Sequence, residues 1–185
     1  KDRKDVIHHW EVPIFADSTW KYKVNTSSGP AANWYQSSYN DASWLQGKGG
    51  FGYADGDDQT NTGPAYSVYL RKNFNITETS KYALGVLMID YDDAFVAYLN
   101  GVEIARSNIG VTGTPPLFDE LPFKEHEALF YQGQLAENFK IDMGLLKSAM
   151  VNGTNVLSLQ VHNISYGSSA LTAIAFLHFG IKDNS

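Results

Sequence analysis

The stretch Asp90-Tyr91-Asp92-Asp93-Ala94-Phe95-Val96-Ala97-Tyr98-Leu99-Asn100-Gly101-Val102-Glu103-Ile104-Ala105-Arg106 decides the fold. Two short apolar runs, 94–100 and 102–106, are separated at Asn100-Gly101. Both of those residues tolerate positive φ, so the pair is a strong hairpin signal. Ahead of the first run stand three aspartates. Asp90 closes an apolar run, and Asp92 and Asp93 sit in the tight link to the next strand. Aspartates at such places bond their own backbone and favour a turn. A catalytic carboxylate pair would have to face across a cleft at a defined separation, which neighbours on one turn rarely do. The three are therefore expected to shape the chain and not to form an active site.

Outward from the hairpin, the same texture repeats. Residues 66–76 alternate, 82–90 form an apolar run of strand length, and 155–163 and 170–181 read as two more strands. One short helix is expected over 142–150, with Asp142 as its N-cap. Many short strands and few helices predict an all-β chain, a jelly-roll-like antiparallel β-sandwich with long loops. Residues 25–66 are rich in Gly, Ser, Asn, Asp and aromatics and should form loops pinned by Trp and Tyr side chains. A second long connection, 112–139, interrupts the strands, and connections of that length are often functional.

The chain has 185 residues, a length that suits one module over 1–185. It begins with Lys, and we expect it to be a module excised from a larger multidomain protein. It has no cysteine, which removes disulfides, thiolate zinc sites and cysteine nucleophiles. A formal charge of −6 argues against nucleic acid as a partner. No run of about 18 apolar residues is present, so no membrane span is expected, and the first 15 residues lack the apolar middle of a signal peptide.

Several blocks in sequence order carry a resemblance: 51–60, 68–76, 89–110, His126-Glu127-Ala128 and 153–181. Together they resemble the galactose-binding-like β-sandwich modules of large secreted bacterial surface proteins, closest to those accompanying CotH-type kinase domains. More distantly they are similar to the sugar-binding domain of family-two glycoside hydrolases. The resemblance covers about 20–181 and implies the sandwich fold, a secreted or cell-surface location, a glycan or polysaccharide partner and other domains of a parent protein. One departure is Ala170, where such modules commonly carry an Asp after paired serines.

Candidate site residues follow. Asn33, Trp34, Tyr35 and Tyr39 lie in a polar stretch, and exposed rings there would stack on a pyranose face. Trp20 and Trp44 are expected in or near the core. Asp55, Asp57 and Asp58 cluster on a Gly-rich loop, and calcium takes six to eight oxygens from such loops. Many sandwich modules of the resembled kind hold a structural calcium. His126, flanked by Glu125 and Glu127, is a candidate ligand-binding residue. His162 is expected to be satisfied within a strand. No Ser-His-Asp pattern, phosphate-binding glycine loop or zinc signature occurs. The expected function is non-catalytic carbohydrate binding. The alternatives are a structural or adhesive spacer and a small lyase or hydrolase built on His126.

Overall fold

The computed structural model describes residues 7–54, 56 and 58–182. Twelve strands fill it: β1 (His9–Ile14), β2 (Thr19–Asn25), β3 (Leu45–Lys48), β4 (Phe51–Gly52), β5 (Thr60–Asn61), β6 (Ser67–Ile76), β7 (Tyr82–Asp92), β8 (Ala94–Leu99), β9 (Val102–Ser107), β10 (Glu137–Ile141), β11 (Gly153–His162) and β12 (Thr172–Ile181). One α-helix, α1, spans Met143–Ala149. The first sheet runs β10-β7-β12-β4-β5, with β1 also paired to β12; the second runs β3-β2-β6-β11-β8-β9. Every pairing is antiparallel except β4 with β5.

Alternation builds the core. Leu157, Leu159 and Val161 of β11 face Ala173, Ala175, Leu177 and Phe179 of β12 within one cluster that also holds Trp20, Leu70, Leu87, Ile89 and Phe95. Each fully buried side chain of this size contributes about 1.5–3 kcal/mol relative to exposure. The helix closes one end of the sandwich. Its Asp142 cap accepts from Leu145 N at 3.0 Å, and Leu146 packs so close to Gly85 that a Cβ there would lie 2.9 Å from its Cδ2.

The hairpin stands at the expected place. Asn100 has φ 50° and Gly101 φ 90°. The Asn100 side chain does more than turn: it accepts from Val156 N at 2.8 Å and donates to the Ala149 carbonyl and to Asn155. The turn thereby ties β8 to β11 and to the end of α1.

Candidate functional site

The outer face of the second sheet carries most of the chemistry. Ser67, Tyr69 and Arg71 of β6, Val96 and Tyr98 of β8, and Ser158, Gln160 and His162 of β11 point away from the core. Yet none exceeds 2% exposure. Segments 26–44 and 108–136 lie over them, and the polar side chains hold those segments by their backbones. Arg71 donates to the carbonyls of Trp34 and Gln36 and to Asp41 at 2.8 Å. Ser67 Oγ donates to Phe118 O at 2.7 Å, and Gln160 Nε2 donates to Pro116 O at 3.2 Å. His162 Nδ1 lies 2.8 Å from Glu120 O, so it carries the proton, and Nε2 accepts from Gln160 at 2.7 Å. Burial pulls this imidazole down to about 4, keeping it neutral. His162 is thus satisfied, as expected, but mainly by the covering loop.

Beneath that cover lies a second aromatic cluster of Trp34, Trp44, Tyr69, Tyr98 and Ile109, with Tyr35, Tyr39 and Phe118 packed against it. Trp34 corrects its expectation: it is 3% exposed, so it offers no open stacking face. Turns at Ala31–Trp34 and Asn33–Gln36 roll the indole inward. There the edges of Tyr69 and Tyr98 meet it at 4.7 and 5.8 Å, and Trp44 lies parallel at 6.4 Å. An indole buries more apolar area than any other side chain here, which favours the inward position. Trp20 and Trp44 are buried as expected. Tyr35 is half-buried, stacked on Tyr98 at 4.4 Å, while Asn33 is exposed. Tyr39 is half-buried between Trp44 and the Arg71 guanidinium.

Trp34, Tyr35 and Tyr69 line one side of an open groove of about 460 Å³, facing Pro115, Leu117 and Phe118 of the long connection. The Tyr69 hydroxyl sits at this wall, 2.9 Å from Gln160 Nε2. The groove brings together two of the predicted residues, Trp34 and Tyr35. Asn33, Tyr39 and His126 are not among those lining it.

His126 belongs elsewhere. Its ring stacks on Tyr91 at 4.1 Å, Nε2 lies 2.6 Å from Glu137 Oε1, and Nδ1 lies 3.1 Å from Tyr91 O. Its backbone N–H donates to Asp93 Oδ1 at 2.9 Å. Burial pushes the Tyr91 phenol beneath it up to about 12.

The three aspartates correct the turn interpretation. Asp93 accepts from His126 N and, through Oδ2, from Ile164 N. Asp90 accepts from Leu129 N at 2.7 Å and Phe130 N at 3.0 Å. These partners are 33 to 71 residues away in sequence. The carboxylates anchor distant loops and do not merely bend their own turn. Asp92 differs from both. It is 2% exposed, and its Oδ1 is buried without a hydrogen-bond partner. Burial, reinforced by the Asp93 charge, pushes it up to about 8. It lines a pocket of about 370 Å³ with Glu127, Tyr131, Ser169 and Thr172, and Ala170 is in the same wall. Sequence reasoning missed this pocket and the structural weight of Arg71. The signal for the latter was an Arg in phase with Ser67 and Tyr69 on the alternating strand β6.

Of the proposed calcium ligands, Asp55 and Asp57 lie outside the described residues. The Asp58 carboxylate packs onto Gly52, where a Cβ would lie 1.8 Å from Oδ1. It shares a cavity of about 50 Å³ with Asp90, both of whose oxygens already accept backbone N–H groups. Among the described residues no group of three or more His, Asp or Glu is placed to hold a metal. Nor is any described helix long and apolar enough to cross a membrane.

No protein-family model and no curated protein matches the sequence. Solved structures do. A β-glucuronidase from Bifidobacterium dentium, complexed with coumarin-3-O-glucuronide, superposes with a TM-score of 0.56 at 13% identity, over 98% of this chain and 31% of that one. A glycosyl hydrolase family 2 member from Bacteroides cellulosilyticus DSM 14838 gives 0.54 at 12%, over 92% and 20%. A β-glucuronidase from an uncultured Clostridium sp. gives 0.54 at 15%, over 94% and 29%. The likeness is one of fold. The chain has the architecture of a β-sandwich domain contained in family-two glycoside hydrolases, and it spans less than a third of each of these enzymes. At the level of fold this agrees with the family-two part of the resemblance in the sequence.

Proposed function

We propose that this chain is a non-catalytic carbohydrate-binding module of a larger secreted or cell-surface protein, and that the Trp34–Tyr35–Tyr69 groove takes the glycan. The observation that carries this is the groove itself. Its size falls in the range of roughly 300–1,000 Å³ usual for ligand sites, and its wall carries four aromatic rings, those of Trp34, Tyr35, Tyr69 and Phe118, among prolines and small residues. The half-buried Tyr35 ring supplies the stacking surface that the buried Trp34 does not, and its pose is set from behind by Tyr98. The resemblance to galactose-binding-like modules supports the same ligand class. A multimodular surface protein of the kind that carries CotH-type kinase domains suits it as parent.

The absence of catalysis belongs to the same proposal. His126 is held by Tyr91 and Glu137 in a fixed stack, which suits a support for the 125–137 segment. A structural calcium at the 55–58 loop is also proposed. Chelator should then lower the melting temperature and added calcium restore it, since a ligand bound only to the native state stabilises it.

A spacer module is the second interpretation, favoured by one observation: the large aromatics of 33–44 pin loops onto the sheet. A glycan array on the isolated domain separates the two. Binding with Kd in the micromolar to millimolar range, about −4 to −8 kcal/mol, is expected. Leu117 is 71% exposed at the groove, so Leu117→Asp should weaken binding and leave the melting temperature unchanged. A silent array at millimolar glycan, or hits that ignore Leu117→Asp and Tyr35→Ala alike, would favour the spacer.

A further inference from the structure

The pocket beside Asp92 is not accounted for by the groove or by the loop anchors. It is built from the end of β7, the 125–131 segment and the 164–172 segment. Asp90 and Asp93 each accept two backbone N–H bonds from these segments. Asp92, between them, meets the Ala128 backbone and the Asp93 side chain, but its buried Oδ1 has no hydrogen-bond partner. A desolvated carboxylate in that condition is costly unless something neutralises it. The neighbouring charges worsen its situation, because Asp93 and Glu127 are both acidic and both raise it. No Lys, Arg or His is among the residues lining the pocket.

We infer that this pocket binds an ammonium group carried by a small polar ligand, with Asp92 as its counter-ion. An ammonium supplies both the positive charge and the N–H donors that the Asp92 oxygen lacks. Glu127, exposed at the rim, is the second acceptor. Tyr131, 63% exposed, stands at the mouth with its hydroxyl donating to Glu127 Oε2 at 3.3 Å. Its ring offers a π-face to a cation. Ser169 and Thr172 line the remainder of the pocket. In the empty pocket a proton does the same neutralising work, in line with the raised titration of Asp92.

A metal ion suits the site less well. Calcium takes six to eight oxygens, whereas two carboxylates, Asp92 and Glu127, line this pocket, and both oxygens of the neighbouring Asp93 carboxylate are already engaged. The volume of about 370 Å³ fits an organic molecule.

The test is an NMR titration of the domain with four probes: glucosamine, N-acetylglucosamine, glucose and calcium chloride. Glucosamine alone should shift the amides of Tyr131, Ser169 and Thr172. Glu127→Gln should keep the wild-type melting temperature and weaken that binding roughly threefold or more, the scale of an exposed ion pair. Asp92→Asn should abolish it. Equal shifts with glucose or N-acetylglucosamine would make the pocket a neutral-sugar site and overturn the inference. So would saturation by calcium alone, silence towards glucosamine, or glucosamine shifts unaffected by Glu127→Gln. Responses confined to residues 29–35 and 115–118 would bear on the groove only, and would leave the ammonium site refuted.

Discussion

The two sheets present opposite outer faces. That of the second sheet is polar and buried: Arg71, Ser158, Gln160 and His162 are at most 2% exposed beneath two long segments. That of the first is more apolar and more open. Val12, Val86, Met88 and His178 are half-buried, Asn138 and Lys140 of β10 stand exposed beside them, and Trp10, 49% exposed, leans against His178 over a shallow depression. Polarity alone would have assigned water to the wrong one. The difference lies in what covers each face. A loop has many carbonyls and few ladders to join, so a face that receives it must carry donors. Arg71, Ser67 and Gln160 are such donors.

If the polar face works as a fastener, Arg71→Met gives the largest effect. It leaves Asp41 and two loop carbonyls without their donor, and breaking a buried pair this way costs about 3–5 kcal/mol. Urea melts measure it, and a loss below about 1 kcal/mol would mean the loops hold by apolar packing alone. Next comes Gly101→Val. Its Cβ would meet Gln36 Oε1 of the covering loop at 2.3 Å, at a φ of 90°, for a cost of about 1–3 kcal/mol. An unchanged melting temperature would contradict the contact between hairpin tip and cover.

A third substitution changes a slope. Asp92 keeps its proton in the folded state up to about pH 8 but loses it near 3.8 when unfolded. The folded state binds more protons across that window, so its stability falls as pH rises through it. His162 acts oppositely, and only between about 4 and 6.5. From pH 6.5 to 8 the Asp92 limb stands clear of it. Asp92→Asn should flatten the fall in melting temperature there, and identical pH curves would refute the raised titration. The smallest effect is expected on the open face. Trp10→Ser should stay within about 0.5 kcal/mol, and a much larger loss would show that this face is part of the core.

The fold was legible in the sequence because its signals are local. Asn100-Gly101, the Asp142 cap and the alternation of β11 each specify their own geometry within a few residues. The site was legible only in part. Tyr35 reached the groove, but the inward turn of Trp34 depends on Tyr69 and Tyr98, more than 30 residues away. The Asp90–Asp93 cluster looked like turn chemistry because its true partners, the N–H groups of 126, 129, 130 and 164, carry no side-chain signature. The half of the groove supplied by Pro115 to Phe118 is set by donors on β6 and β11, and so is invisible from the loop itself.

Whether the covered face creates a glycan site can be read by mapping amide shifts while titrating the strongest array hit into the wild-type domain. Carbohydrate binding in the groove requires saturable shifts clustered on residues 29–35 and 115–118, and their loss in Leu117→Asp. Saturable shifts centred on the open Trp10 face, or none at millimolar glycan, would contradict it.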